Sequence, residues 1–372
     1  MKVVFICSSL EPGKDGVGDY TRRLAGMFIK LGNTVTALCL NDYFTTTEIV
    51  ATQDIDGVQL NVIRIPFSWQ HKKRMARANY WINTLNPDWL SLQFVIFSFH
   101  KKGLPFKIIN SLKDLGKGRH WHIMFHELWV GINYKTSIKY FLWGSIQQQI
   151  IKQLIIKLAP DLIHTQTKLY QAKLRQLGFL VDYLPLFGNI PSTKNAIDTN
   201  QIINSKDIRV VLFGTIHPGA PIEDFIQDLL AYQVSFSVLF KLLIVGRTGN
   251  QDDIWISAFK KNGIRAEVFG ELSPADISIV LSSSTFGIST TPIAFVEKSG
   301  TIAAMREHGL KVLCVTSQLK DFQSENFVLP TGIFNYCKGY LPDIIQNVKM
   351  NPTDGKVEEI GLRLATIFSK KL

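Results

Sequence analysis

Residues 3–40 read VVFICSSLEPGKDGVGDYTRRLAGMFIKLGNTVTALCL, and this stretch decides the fold class. Val3–Ser8 is an apolar run typical of a buried strand. Asp19–Leu31 places apolar residues at helical spacing, Gly32–Asn33 is typical of a helix end, and Thr34–Leu40 is a second apolar run. Strand, loop, helix and strand in this order predict a βαβ unit, and such units build parallel sheets.

The same alternation continues on both sides of a polar segment. Before it, strands or helices are predicted at Trp89–Phe97, Trp121–Phe125, Tyr140–Ala159, Asp161–Thr165 and Lys168–Leu177. The helix at Tyr140–Ala159 is expected to be amphipathic, with one apolar face formed by Leu142, Ile146, Ile150, Leu154 and Leu158. Residues 184–200 are rich in Pro, Gly, Asn and Ser, which predicts a linker. Beyond it, strands are predicted at Ile208–Phe213, Lys241–Val245, Ala266–Phe269, Phe286–Ser289 and Lys311–Val315, with helices between them.

Each half therefore begins with a strand that ends in polar or glycine-rich residues, and parallel sheets bind ligands beyond the carboxyl ends of their strands. We predict an α/β protein with two Rossmann-like domains, residues 1–190 and 191–355, that face each other across a cleft. An amphipathic helix follows in residues 356–372.

The composition is that of a globular protein. Of its 372 residues, 46% are hydrophobic and 19% are charged, which is enough apolar material for two cores. Its cysteines, Cys7, Cys39, Cys314 and Cys337, form no C-x-x-C pair, so we expect reduced thiols in a cytoplasmic protein. The start, MKVVFICSS, is interpreted as a first strand rather than a signal peptide, and no apolar run reaches the ~18–20 residues of a membrane span.

The positive charge is concentrated in one half of the chain. Residues 1–195 hold 24 Lys and Arg against 12 Asp and Glu, whereas residues 196–372 hold 17 against 18. A one-sided basic field attracts phosphates, nucleic acid or an acidic membrane, and the alternative is a solvated surface. No nucleic-acid-binding motif is present, so no nucleic-acid partner is predicted. The basic and aromatic runs Phe67–Arg74 and Phe97–Lys102 predict contact with an anionic membrane on its cytoplasmic side, and a soluble acceptor with an exposed basic surface is the alternative.

Two motifs of the first half have the composition of ligand sites. Gly16-Val17-Gly18 precedes a helix, where glycine permits close approach of a ligand and the helix start favours negative charge. It is not the G-x-G-x-x-G fingerprint, because Thr21 stands in place of the third glycine, so a nicotinamide enzyme is disfavoured. His126 follows a strand, and we expect it to face the mouth of the cleft and donate to a sugar hydroxyl or phosphate. The alternative is a structural histidine with local hydrogen bonds.

A third motif, Phe295–Met305, lies between a strand and a helix in the second half. Ser299 can cap the helix, Gly300 allows close approach, and Lys298 adds a positive charge, so the segment suits a pyrophosphate. Glu297 could accept hydrogen bonds from a ribose. The alternative is an ordinary capped helix with a surface Lys and Glu.

Asp54-Ile55-Asp56 matches an Asp-x-Asp metal-binding motif. Here Asp56-Gly57 lies between two strand-like runs and is typical of a turn. We therefore predict a turn at this position and no metal site.

Taken in order, these motifs resemble the GT-B retaining glycosyltransferases, the group containing sucrose synthases, bacterial glycogen synthases and phosphatidylinositol mannosyltransferases. The resemblance implies that Gly16, Val17 and Gly18 lie near the donor phosphates, that His126 touches the transferred sugar, and that Gly270 and Glu271 read the base. It implies that Glu297 is the first Glu of the family's paired-Glu signature, that Gly300 and Thr301 hold the distal phosphate, and that the last helix crosses back to the first domain.

The chain departs from the family at two places. Met305 stands where the second Glu is expected, and Thr215 replaces an Arg, so phosphate charge would have to be met by Lys298, Arg247 or His217. We predict a transferase that moves a sugar, with retention, from a UDP- or GDP-linked donor to a saccharide or lipid-linked acceptor of the cell surface, without a cofactor or metal. The alternative is a catalytically weak nucleotide-sugar-binding subunit.

Overall fold

The structure is a computed structural model that describes residues 1–132, 137–192, 207–249, 251–317, 328–339, 341, 345 and 355–372. The chain forms two compact units, Met1–Pro185 with Val357–Leu372, and Leu186–Lys356. The sequence placed this boundary after residue 190. Part of the predicted linker, residues 193–200, lies outside the described residues.

An 8-stranded sheet forms the centre of the first unit, in the order β3-β4-β2-β1-β5-β6-β7-β8. Its strands are β1 (Lys2–Cys7), β2 (Thr34–Asp42), β3 (Ile49–Ile55), β4 (Val58–Pro66), β5 (Trp89–Phe94), β6 (His120–Phe125), β7 (Leu162–Thr165) and β8 (Asp182–Tyr183). Its pairs are parallel apart from the β3–β4 hairpin. The strand order reverses between β1 and β5, so the carboxyl ends of these strands are where a ligand is expected.

The helices of this unit are α1 (Gly16–Lys30), α2 (His71–Leu85), α3 (Ile96–Phe99), α4 (Phe106–Leu115), α5 (Ile138–Leu158) and α6 (Lys168–Gln176). The predicted helix at 19–31 begins earlier, at Gly16, because the Asp15 side chain caps it and accepts from Val17 N at 3.2 Å. The predicted strand Trp89–Phe97 ends at Phe94, and the short helix α3 follows.

The Asp-x-Asp segment forms the predicted turn. Asp56 and Gly57 join β3 to β4 with φ values of 50° and 85°, the left-handed conformation of a two-residue hairpin turn. The carboxylates serve local structure, since Asp54 accepts from Gln59 Nε2 at 2.9 Å and Asp56 pairs with Arg23 at 3.2 Å. Among the described residues, no group of three or more His, Cys, Asp or Glu side chains is placed to hold a metal ion.

A 6-stranded parallel sheet forms the centre of the second unit, in the order β11-β10-β9-β12-β13-β14. Its strands are β9 (Asp207–Phe213), β10 (Leu239–Val245), β11 (Arg265–Gly270), β12 (Phe286–Ser289), β13 (Val312–Cys314) and β14 (Ile333–Asn335). Its helices are α7 (Ile222–Phe236), α8 (Asp252–Lys261), α9 (Pro274–Ser282) and α10 (Gly300–Glu307), with a 3₁₀ helix at Ile293–Lys298. This is the strand order of a Rossmann sheet, and it reverses between β9 and β12.

The last helix, α11 (Val357–Ser369), belongs to the first unit, as the resemblance implied. Gly361 lies against α1 so closely that a β-carbon would be 2.5 Å from Met27 Cγ. Phe368 stacks on Trp89 with ring centroids 4.2 Å apart and meets the His122 ring edge-on at 5.3 Å. The helix therefore covers the sheet beside α1 and completes the core of the first unit.

The apolar face predicted for α5 is only partly buried. Ile150, Leu154 and Leu158 are buried as predicted, but Leu142 and Ile146 are 58% and 47% exposed. The buried face of α5 also contains Gly144, Gln147, Ile151 and Ile155. Its centre is therefore rotated around the helix axis from the centre of the predicted face. The first half of α5 therefore carries apolar side chains on its outward face. Across the described residues, no helix combines the length and apolar character needed to span a membrane.

Candidate active site

A pocket of about 310 Å³ lies at the carboxyl edge of the second sheet. Its wall consists of residues at the ends of β9 and β12, residues at the start of α10, and two residues from the opening segment of the unit. They are Asn189, Ile190, Phe213, Thr215, His217, Thr291, Ser299, Gly300 and Thr301. Because β9 and β12 are neighbours at the point where the strand order reverses, the pocket occupies the topological switch point. The predicted residues Thr215, Ser299, Gly300 and Thr301 meet here.

The start of α10 gives this pocket its suitability for anions. Ser299 caps the helix as predicted, since its Oγ accepts from Ile302 N at 3.4 Å. The first N–H groups of an α-helix have no intrahelical partners and carry partial positive charge, so the helix start at Gly300 and Thr301 has the polarity that favours an anion. Gly214 lets β9 approach this surface, because it has φ of +88° and a β-carbon there would be 2.5 Å from Thr301 Cγ2.

His217 places a titratable ring in the same pocket wall. Its backbone N donates to Thr290 Oγ1 at 2.7 Å, and Thr290 is buried at the end of β12. Ile216 N donates to Thr248 O at 3.2 Å, beyond the end of β10. These bonds fix the loop after β9 against both neighbouring strand ends, so His217 and Thr215 are held on a rigid support.

Lys298 and Glu297 precede this wall in the chain but are not part of it in the described structure. Both lie in the 3₁₀ helix, where Glu297 is buried and Lys298 is half-buried. Lys298 Nζ lies 4.9 Å from the centroid of the Phe295 ring. The sequence predicts that Lys298 binds a phosphate. In the structure its ammonium group makes a cation–π contact with Phe295.

Arg247, Gly270 and Glu271 form a separate surface group after β10 and β11. Arg247 makes a two-pronged ion pair with Glu271, with N–O distances of 2.8 and 2.9 Å, and both side chains are exposed. Gly270 has φ of +65°, and its carbonyl accepts from Gly246 N at 2.7 Å. The three predicted residues are therefore brought together, with the charge of Arg247 directed to Glu271 rather than to the pocket wall.

Met305, which stands where the second Glu of the signature is expected, packs in the core. Met305 is fully buried, and its Sδ lies 2.4 Å from where a β-carbon on Gly287 of β12 would stand. Glu307, two residues on, accepts from Gly188 N at 2.9 Å and so holds the opening segment of the unit. Met305 therefore contributes to the core and Glu307 to the position of the segment that supplies Asn189 and Ile190.

In the first unit, the predicted glycine loop is the first turn of α1. A β-carbon on Gly18 would be 2.5 Å from Ser9 O, so this glycine is required for the packing of α1 on the end of β1. Gly16 faces open space, where a β-carbon would meet nothing within 4 Å. Packing thus explains Gly18, whereas Gly16 and Val17 stand at a helix start with the character of an anion site.

His126 is directed into the core, and the expectation that its side chain faces the cleft mouth was wrong. It is 5% exposed, its ring meets Tyr20 edge-on at 4.8 Å, and its Nε2 lies 2.9 Å from Gln93 Oε1. An amide oxygen only accepts, so Nε2 carries the proton. Burial lowers the pKa of His126 to about 4, with a hydrogen bond to Gln166 opposing this. The ring is therefore neutral and structurally engaged.

A buried polar chain continues from His126 across the sheet. Gln93 Nε2 donates to Ser91 Oγ at 2.8 Å, Ser91 Oγ lies 2.8 Å from His122 Nδ1, and His122 Nε2 lies 3.1 Å from His164 Nδ1. Burial lowers the pKa of His122 and brings that of His164 to about 4. Period-two spacing along β5 and β6 places these side chains on one face, beneath Phe368 of α11.

Sequence reasoning missed Asn189, Ile190, Thr291 and Gln93. Thr291 follows β12 directly, so its position beyond a strand end was a usable signal. Asn189 and Ile190 lie in the segment interpreted as a linker, and tertiary contact alone brings them to the pocket. Gln93 lies within a buried strand, and its spacing from Ser91 was the signal for a polar stripe.

These features define a class: a protein of two Rossmann-like units, one with a polar pocket at its switch point. The structure is similar to Anabaena HepE solved in complex with UDP and glucose, at 12% identity over 100% of both chains and a TM-score of 0.59. It is similar to WaaG, a glycosyltransferase involved in lipopolysaccharide biosynthesis, at 11% identity over 99% of this chain and 91% of that one, with a TM-score of 0.51.

A Listeria monocytogenes protein assigned as a UDP-N-acetylglucosamine 2-epimerase is also similar, at 11% identity over 99% of this chain and 88% of that one, with a TM-score of 0.52. No protein-family model matches the chain, and no curated protein matches it in sequence. The fold is GT-B, and the low identities make this chain a divergent example of it.

Proposed function

We propose that the protein is a glycosyltransferase that moves a hexosyl group from a nucleoside diphosphate sugar to a saccharide or lipid-linked acceptor. The observation that carries this proposal is the pocket at the β9–β12 switch point, where Gly300 and Thr301 begin a capped helix beside His217. A diphosphate is the ligand that such a helix start favours. The complex of HepE with UDP and glucose supports a uridine nucleotide as the first ligand to test, with a guanosine nucleotide as the second.

The proposed reaction breaks the bond between the anomeric carbon and the diphosphate oxygen. A bond from that carbon to the acceptor hydroxyl oxygen forms, and the hydroxyl proton leaves to the released diphosphate. Retention of configuration rests on the resemblance to the retaining GT-B enzymes. The work of this chain is then to position the donor and stabilise the leaving diphosphate, which are the effects that a rigid helix start and neighbouring polar groups supply.

Lys298 remains the proposed source of full positive charge for the diphosphate. Its contact with Phe295 is worth about 0.5–1 kcal/mol for a partly exposed cation–π pair. A charge-assisted hydrogen bond to a diphosphate is worth about 1.5–3 kcal/mol, which is more than that contact supplies. Arg247 would first have to give up both bonds to Glu271, whereas His217 already lies in the pocket wall.

The remaining residues are proposed in the roles that the resemblance implies, and for Glu297 this requires the buried side chain to turn toward the pocket. Glu297, beside Lys298, would meet the donor ribose, and Gly270 with Glu271 would meet the base. In the first unit, Gly16, Val17 and Gly18 would lie near the donor phosphates, where the Asp15 carboxylate that accepts from Val17 N would have to give way. Because the His126 ring is buried and neutral, we assign it to the support of the substrate-binding edge of that unit rather than to proton transfer.

We further propose a role in cell-surface glycan synthesis on the cytoplasmic side of a membrane, without a divalent metal. The basic first half of the chain supports the location, and the similarity to WaaG supports the role. The amide groups of the α10 start and the proposed contact with Lys298 would stabilise the charge of the diphosphate, which is why no metal ion is proposed.

A catalytically weak nucleotide-sugar-binding subunit is the second candidate. Two observations favour it: Met305 occupies the place of the second Glu as a core residue, and Thr215 provides no charge in the pocket. Both candidates bind the same donor, so binding identifies the class and turnover separates them.

Titration calorimetry tests donor binding. UDP, GDP and the bare nucleosides are titrated into the wild type, Lys298→Ala, and the matched control Lys260→Ala, an exposed lysine of the same unit. The proposal requires diphosphate affinity to fall about tenfold or more in Lys298→Ala, with nucleoside binding and the control unchanged. Equal binding to wild type and Lys298→Ala would assign the charge to His217 or Arg247, and absence of any nucleotide binding would refute the proposed class.

Turnover is measured with the nucleotide sugar that binds best. Transfer or donor hydrolysis that persists in chelator supports a metal-independent transferase. Activity lost in chelator and restored by manganese contradicts it. Donor binding without turnover supports the subunit, and epimerisation of the donor sugar would place the chain with the epimerases of this fold.

A further inference from the structure

The outward face of the first half of α5 carries large apolar side chains in water. Ile138, Phe141, Leu142 and Ile146 follow the i, i+3, i+4, i+8 spacing of one helix face, and Ile138 and Phe141 are 80% and 61% exposed. The opposite face packs on the core through Gln147, Ile151 and Leu158 among others. A helix that is apolar on both sides needs cover on both, and a contiguous exposed apolar patch marks an interaction site.

Lysines lie beside this patch, on the same helix and on a neighbouring loop. Lys139 lies on the same helix turn and is exposed, and Lys101 and Lys102 are exposed on the neighbouring loop. Trp143 Nε1 donates to Lys102 O at 3.0 Å, which fixes that loop beside the patch. The structure thus joins α5 to the basic run at 97–102.

The apolar contribution comes from α5 and not from the aromatics of that run. Phe99 is buried and stacks on Phe94 at 5.7 Å, and Phe97 is half-buried near Trp143. The run therefore supplies the lysines, and the helix supplies the groups that can enter an apolar phase.

We propose that this surface, formed by Ile138, Phe141, Leu142 and Ile146 with Lys101, Lys102 and Lys139, docks on an anionic lipid bilayer. Exposed apolar and aromatic side chains with lysines beside them are typical of a helix that lies in the membrane interface. The helix face is convex and so offers no groove for a peptide. A second copy is disfavoured, because a two-fold contact through this face would bring the three lysines against their own symmetry mates.

The position of the patch relates docking to the substrate-binding edge. The α5 helix is the crossover from β6 to β7, so its first half lies at the carboxyl edge of the first sheet. Gln147 Oε1 accepts from Val130 N at 2.8 Å, and a β-carbon on Gly144 would be 2.1 Å from Val130 O. The loop that follows His126 is thus clamped to the docking helix, and a docked protein presents this edge to the bilayer. The inference rests on the proposed function only in assigning a lipid-linked acceptor to that edge.

Vesicle co-sedimentation tests the surface with the full chain. The variant Phe141→Ser/Leu142→Ser is compared with Ile156→Ser, a control that removes a 53% exposed apolar group further along the same helix. With vesicles containing about 30 mol% phosphatidylglycerol in phosphatidylcholine, we expect the double variant to lose at least tenfold in partition coefficient and the control to stay within about twofold. Lys101→Glu/Lys102→Glu should remove the preference for anionic over neutral vesicles. Thermal unfolding midpoints equal to that of the wild type confirm that the variants fold.

Several results would overturn the inference. They are equal partition of the wild type and the double variant, no binding of the wild type to anionic vesicles, and a dimer in sedimentation velocity that the double variant abolishes. Calorimetry with UDP on the same preparations separates the two proposals. Retained nucleotide binding without vesicle binding removes docking alone, and vesicle binding without nucleotide binding removes the proposed function alone.

Discussion

Acid should destabilise the first unit through its buried histidines. Burial lowers the pKa of His126 and of His164 to about 4, whereas an unfolded histidine has a pKa of 6.5. Their contribution to stability is complete above pH 6.5 and is lost as the pH falls toward 4, because the unfolded chain binds protons that the folded unit excludes. Each depressed pKa corresponds to about 3 kcal/mol of unfolding free energy. That loss is a large part of the ~5–15 kcal/mol that stabilises a typical domain.

The pH dependence of the unfolding free energy can measure the contribution of a single histidine. A histidine that is neutral when folded and charged when unfolded contributes about 1.4 kcal/mol per pH unit between its two pKa values. His164→Gln removes one such group while Gln Oε1 can still accept from His122. Urea unfolding from about pH 7 down to about pH 4.5 should therefore give an average slope shallower by about 1 kcal/mol per pH unit, because the ends of this range are only partly titrated. Tryptophan fluorescence reports the unfolding of the first unit, because all of the 7 tryptophans except Trp255 lie in that unit.

The matched control is His100→Asn, which replaces an exposed histidine of the same unit and retains an acceptor for the backbone N–H groups of Lys102 and Leu104. If the unfolding free energy of His164→Gln has the same slope against pH as that of the wild type, His164 gains its proton without unfolding. The argument from the buried polar chain would then fail.

Three further changes have defined outcomes. Phe368→Ala should cost about 3–5 kcal/mol in urea unfolding, because a fully buried ring leaves a cavity against the sheet, whereas Leu362→Ala on the exposed side of α11 should cost below about 1 kcal/mol; equal costs would contradict the packing of α11. Gly214→Ala should weaken UDP binding in calorimetry by tenfold or more, because the methyl group would displace Thr301, and unchanged affinity would remove this wall from the site. Ser299→Ala should lower stability by about 1 kcal/mol in the same urea assay through loss of the α10 cap, and no loss would mean that the cap is dispensable.

Elements with a strong local signal were predicted to within a few residues. Phe286–Ser289 is the same in sequence and structure, and the Ser299 cap was confirmed. Boundaries failed where a tertiary or capping contact extends or ends an element. Asp15 starts α1 before the glycines, and β5 stops at Phe94 because α3 follows.

The candidate site divides in the same way. Ser299, Gly300 and Thr301 were accessible to sequence reasoning because a helix start after a strand is itself an anion site. The orientation of the His126 side chain could not be predicted from the sequence, because the direction of a strand-end side chain depends on what packs above the sheet. Here Tyr20 and Gln93 enclose it. The outward face of α5 was likewise misjudged, since periodicity identifies apolar residues without showing which of them the core covers.

The sequence by itself determined two parallel α/β sheets, the helix starts that follow their strands, and the one-sided charge of the chain, because each depends on residues near one another along the backbone. Tertiary structure alone decided that Asn189 joins the pocket, that Met305 packs on Gly287, and that His122, His126 and His164 share one buried polar chain. These depend on strand order and helix packing, which bring distant segments together and set the burial, and hence the charge, of every group between them.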